Sequence, residues 1–180
     1  MALEREVVLT KRPCTARLVP DGTEIEVPAD VFVTITQALG GSFTIVYNGN
    51  MARIEAKDAD ALGKSLFDFE FSEPVEGEVS EAHVWDALGA VYDPEIPVNI
   101  VDLGLIYRME ICQDGDENIV EIDMTLTAPG CGMGPVIADD VKSKVSMVPN
   151  VDRVEVKMIF DPPWDNDRMS EVAKLELGML

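Results

Sequence analysis

The first third of the chain reads as strands, with short apolar runs separated by turn residues. Short β-branched or alternating runs fall at 16–19, 24–27, 31–37, 43–47 and 51–55. In the third run Val31, Val33 and Ile35 share one face and Thr34 and Thr36 the other, the period of a half-buried strand. Turn residues separate the runs: Pro20-Asp21-Gly22, Gly40-Gly41 and Asn48-Gly49. Asn-Gly is a hairpin signal because a type I′ turn takes positive φ at both central residues. An antiparallel meander that closes as a small barrel or curled sheet is expected. Residues 58–64 read as one helical turn. The alternation of Phe67, Phe69 and Phe71 reads as a last strand before a Pro/Gly/Glu stretch. The first domain is placed at 1–74 and a linker at 75–79.

From residue 80 the period changes. Ser80 is a candidate cap for a helix with Val84, Trp85, Leu88 and Val91 as its apolar stripe. Asp93-Pro94 ends that helix, since the residue before proline avoids the helical region. A strand follows with Leu105, Tyr107, Met109 and Ile111 on one face. After a polar turn at 113–118, its partner places Val120, Ile122, Met124 and Leu126 inward, with Glu121, Asp123 and Thr125 outward. The tight loop 129–134 opens a helix marked by Ile137, Val141, Val145 and Val148. A third strand carries Val154, Val156 and Met158, and Ser170 caps a final helix. The expected fold class is α+β: a small antiparallel β domain, then an α-β-β-α-β-α module at 80–180 with helices packed on a small mixed sheet.

Charge narrows the partners. The 180 residues hold 34 acidic and 14 basic side chains, a formal net charge of −20. Such a field repels phosphate backbones and anionic membranes, so neither nucleic acid nor a lipid surface is an expected partner. No run approaches the apolar length of a membrane span, and the start lacks the apolar centre of a secretion signal. Three scattered cysteines (Cys14, Cys112 and Cys131) make no disulfide framework. A reducing cytoplasm is expected.

Several chemistries lack their residues. One histidine, His83, is too few for a paired-histidine zinc site, and it reads as a surface or half-buried helix residue. Gly130-Cys131-Gly132-Met133-Gly134 lacks the Lys-Ser/Thr of a phosphate loop, and Pro135 breaks the dinucleotide spacing. There is no Cys-x-x-Cys pair, hence no closed four-thiolate site in one chain. Cys131 stands out because it lies between glycines just before a helix start, where backbone N–H groups favour a thiolate. The alternative is a small buried cysteine in a tight turn. Cys14 and Cys112 read as strand filler. Asp93, Glu95 and Asp102, in a proline-stiffened loop, offer oxygen ligands or helix caps. Asp161-Pro162-Pro163-Trp164 presents a large aromatic suited either to a partner surface or to the core.

Three ordered motifs are specific: Asp93-Pro94-Glu95-Ile96-Pro97 running to Asp102-Leu103-Gly104-Leu105-Ile106-Tyr107, then Leu126-Thr127-Ala128-Pro129-Gly130-Cys131, then Asp161-Pro162-Pro163-Trp164. Over about 79–180 the chain resembles the metal–sulfur cluster biosynthetic domain family, which includes PaaD-like proteins. With Ile35-Thr36-Gln37-Ala38-Leu39-Gly40-Gly41 and Asp58-Ala59-Asp60-Ala61-Leu62-Gly63, it is similar to the two-domain SufT group of that family. The resemblance implies an auxiliary role in iron–sulfur protein maturation. It puts the reactive cysteine at Cys131 and the acidic metal-side loop at Asp93 and Glu95. One thiolate cannot hold a cluster, so no permanent cofactor is expected, only a transient or shared Fe–S cluster completed by a second chain. The expected partners are an Fe–S scaffold or carrier, client apo-proteins and a second copy in a homodimer. Trp164, Asp161 and Asp102 are the candidate partner-facing residues. No general base accompanies Cys131, so the chain is expected not to be an enzyme. The competing reading is a metal-free adaptor that recruits clients or serves an oxygenase-type assembly.

Overall fold

The structure, a computed structural model, describes residues 5–94, 96–130 and 132–179. They form two compact units. Of the described residues, unit 1 takes 5–68 together with 94, 96–97 and 132–133, and unit 2 takes 69–93, 98–130 and 134–179.

Unit 1 is a six-stranded antiparallel sheet. Its strands are β1 (Glu6–Leu9), β2 (Cys14–Leu18), β3 (Glu24–Val27), β4 (Phe32–Leu39), β5 (Ser42–Tyr47) and β6 (Asn50–Ile54), in the spatial order β1-β4-β5-β6-β2-β3. β4, β5 and β6 form the expected meander, but β1 pairs with β4 and the β2–β3 hairpin joins through β6. The period-two pattern is realised across the sheet. Ile35 lies opposite Ile45, and Ile45 opposite Ala52, and all three are buried in a core with Val27, Val33 and Ile54. Asn48 and Gly49 have φ of 50° and 77°, the double positive φ expected of this hairpin. A 3-10 helix at Ala56–Leu62 replaces the expected helical turn and plugs the core with Ala59, Ala61 and Leu62. Arg12 fastens it, with its guanidinium on Asp60 at 2.6 Å and Asp58 at 2.9 Å.

Two expectations fail here. β1 gave no periodic signal, being a four-residue edge strand whose Val7 and Leu9 are exposed. The aromatic run at 67–71 is not a strand: Phe69 and Phe71 stack on each other at 4.9 Å, and Phe71 lies 5.0 Å from the His83 ring. Alternation there serves ring packing and not a backbone ladder.

Unit 2 carries α1 (Glu81–Leu88), β7 (Ile106–Asp114), β8 (Glu117–Met124), α2 (Gly134–Ser146), β9 (Arg153–Met158) and α3 (Glu171–Glu176). β7 and β8 pair antiparallel, and β9 joins β8 in parallel after the α2 crossover, so the small sheet is mixed. The predicted order is observed. Ser80 and Ser170 cap α1 and α3, accepting from the backbone N–H of His83 and Ala173. Val84, Leu88, Val91, Ile122, Met124, Ile137, Val141 and Val145 form the buried interior. Cutting Leu88 to alanine there would cost about 2–5 kcal/mol. Trp85 departs from its predicted stripe and is 36% exposed, whereas His83, expected at or near the surface, is buried with Nε2 2.9 Å from the Ser72 hydroxyl. Among the described residues no helix is long and apolar enough to cross a membrane.

Candidate functional site: two clipped motif loops

The loop after α1 is built on side-chain caps. Asn99 Oδ1 accepts from the backbone N–H of Val101 and Asp102, each at 3.0 Å, and its Nδ2 donates to Asp102 Oδ2 at 2.7 Å. Backbone bonds from Leu103 to Asn99 and from Leu105 to Ile100 complete a tight turn, which delivers the chain into β7. The Asp102 carboxylate thus takes part in this turn through Asn99.

The Asp161–Trp164 motif closes on the same turn. Trp164 Nε1 donates to the Leu103 carbonyl at 2.7 Å, and the Tyr107 hydroxyl donates to the Pro162 carbonyl at 2.8 Å. The Arg168 guanidinium lies 4.4 Å from the Tyr107 ring centroid, a cation–π contact. Ser170 N–H donates to the Asp102 carbonyl at 2.8 Å. Gly104 has φ +75°, and a Cβ there would overlap the Arg168 carbonyl oxygen. Trp164 is thus half-buried and anchored by its N–H, while Asp161, Pro162, Pro163 and Phe160 stay exposed beside it. Sequence reasoning gave no individual role to Asn99 or Gly104 and did not single out Arg168. Only the glycine carried a usable signal, because positive φ with close backbone approach excludes other residues.

The remaining candidates divide. Asp93 is half-buried, and its N–H reaches the Val98 carbonyl at 3.5 Å. Glu95 and Cys131 lie outside the described residues. Around Cys131, Gly130 has φ +79°, and Gly134 opens α2. Among the described residues, no three His, Cys, Asp or Glu side chains gather as a metal site. Cys14 is buried, and burial pushes its thiol up, away from the thiolate; Cys112 is half-buried in β7.

Residues 81–158, from the first residue of α1 to the last of β9, match the family model described as iron-sulfur cluster assembly protein. A Porphyromonas gingivalis protein named Fe-S protein maturation auxiliary factor is 48% identical over 101 residues, which cover 56% of this chain and 93% of that protein. The chain belongs to the iron–sulfur cluster assembly protein family. Another relative, the Fe-S protein maturation auxiliary factor SufT of Staphylococcus aureus, is 44% identical over 49% of this chain and 98% of its own length. A solved structure of a conserved hypothetical protein from Thermotoga maritima matches at a TM-score of 0.50 and 35% identity, over 58% of this chain and 99% of that one. The family's α+β fold is therefore the one formed by α1 to β9. The six-stranded sheet precedes the span matched by the iron–sulfur cluster assembly model.

Proposed function

We propose that this chain is a non-enzymatic auxiliary factor of iron–sulfur protein maturation, acting in the cytoplasm. The observation that carries this reading is the 48% identity to a maturation factor across 93% of that relative's length. In this role the Fe–S cluster is cargo. The Cys131 sulfur serves as a ligand or contact, with Asp93 and Glu95 on the metal side of the site. A lone thiolate leaves the cluster's other positions to a partner: a scaffold or carrier, a client apo-protein, or the same cysteine of a second copy. Trp164, Asp161 and Asp102 face that partner. The exposed Phe160 beside an anchored Trp164 supports this assignment, since a rigid aromatic edge contacts a partner at little entropic cost.

Anaerobic reconstitution with iron and sulfide tests the reading. Wild-type protein is expected to gain visible Fe–S absorbance in a dimeric species, and Cys131→Ser is expected to gain none. Equal absorbance in both removes Cys131 from the ligand set. If, in addition, Cys131→Ala sustains client maturation in cells while Trp164→Ala does not, the metal-free adaptor replaces the cluster-handling factor.

A further inference from the structure

Unit 1 contains more than its sheet. The turn Pro20-Asp21-Gly22 and the backbone at Gly132 approach so closely that neither side tolerates a side chain. A Cβ on Gly22 would overlap the Gly132 carbonyl oxygen and lie 2.8 Å from its carbon, and a Cβ on Gly132 would overlap the Asp21 carbonyl. The turn is stiff. Asp21 Oδ1 accepts from Thr23 N–H at 2.8 Å, and Gly22 N–H donates to the Leu18 carbonyl at 2.7 Å.

A second contact is independent of the first. Gln37, Thr44 and Arg53 pair in register across β4, β5 and β6, on the face opposite the Ile35–Ile45–Ala52 core. Polar side chains on an outer face normally meet water, yet all three are buried. Thr44 Oγ1 donates to the Pro94 carbonyl at 3.1 Å, so Pro94 is held against this row.

We propose that the six-stranded sheet is a built-in positioning platform for Pro94 and the segment at 132–133, which adjoin Glu95 and Cys131 in the chain. Gly22 and Thr44 are its positioning residues. The Porphyromonas gingivalis relative is aligned over 93% of its length by 101 residues and so has no room for a sheet of this size. This chain thus supplies internally a contact that such relatives must obtain elsewhere or do without. The consequence for cluster handling rests on the reading of Cys131 above, whereas the contact itself does not.

The test uses full-length protein, iodoacetamide and site-resolved mass spectrometry, with no iron and no client, so it succeeds or fails separately from the reconstitution. Gly22→Ala is compared with Gly49→Ala. The two glycines share φ of +78° and +77°, but Gly49 has open space around it, so the pair separates the close approach from backbone strain. Gly22→Ala is expected to speed Cys131 alkylation roughly threefold or more over Gly49→Ala, with Cys14 and Cys112 unchanged. Equal Cys131 rates in the two variants, or a parallel rise at buried Cys14, overturn the proposal. If Gly22→Ala does not fold, Thr44→Val decides. Faster hydrogen exchange in the peptide 93–98, with β7 and β8 unchanged, supports the platform, and unchanged exchange in that peptide overturns it.

Discussion

The indole N–H of Trp164 donates to the carbonyl of Leu103 over 2.7 Å, joining two motifs that lie 61 residues apart in the chain. That bond makes one site of two sequence signatures. Trp164→Phe keeps most of the apolar contact but strips the Leu103 carbonyl of its donor. A loss of about 1–2 kcal/mol in urea unfolding is expected. If Trp164→Phe unfolds at the wild-type midpoint, the bond does not hold the motifs together.

Gly104 occupies the same junction with two separate demands. Its φ of +75° disfavours any side chain, and a Cβ would run into the Arg168 carbonyl. Gly115 has φ of +61° but nothing near it. Gly115→Ala is expected to cost about 1–2 kcal/mol from backbone conformation alone. Gly104→Ala should cost clearly more and lower the protection of Tyr107-side amides in hydrogen exchange. Equal losses would mean that the Arg168 backbone yields freely.

Lys144 is buried on α2, with its ammonium 3.1 Å from Asp140 Oδ2 and 2.9 Å from the Ala90 carbonyl just beyond α1. The pair therefore fixes the α1–α2 packing as well as neutralising charge. Lys144→Met leaves the Asp140 carboxylate buried without its ammonium and should cost about 3–5 kcal/mol. The double variant Lys144→Met/Asp140→Leu is expected to recover most of that in chemical denaturation. A double variant as unstable as Lys144→Met would show that the Ala90 bond, and not the buried charge, carries the cost.

Period alone revealed most of the strands and helices. Ile35 and Ile45, or Ile122 and Val141, lie where alternation or helical spacing puts them. The failures share a cause. Val7 and Leu9 in β1 are exposed on an edge strand, so their apolarity marked no core position. Phe69 and Phe71 stack on each other, with Phe71 tilted against His83, and do not pair in a sheet. In the site, the motifs were visible as residue strings, but the match of Gly104 to Arg168 and of Trp164 to Leu103 was not. Such contacts are set by tertiary closure and leave no periodic trace. The family resemblance was carried by these strings, and the 48% identity to a maturation factor agrees with it.

Cys14 supplies a pH-dependent prediction. On β2 it pairs with Val27 of β3, is buried, and has its thiol pushed above the ordinary value, first by burial and then by Asp58. The unfolded thiol loses its proton at lower pH than the folded one. Its contribution to stability is therefore complete below the unfolded value and is lost as pH rises through the folded value. Wild type and Cys14→Ala should accordingly differ by a larger urea midpoint at about pH 7 than at about pH 10, with the gap closing from the wild-type side. Iodoacetamide at about pH 8 should label Cys112 well before Cys14, since the thiolate is the nucleophile. A midpoint gap that stays constant across this range would mean that Cys14 ionises alike in the folded and unfolded chain.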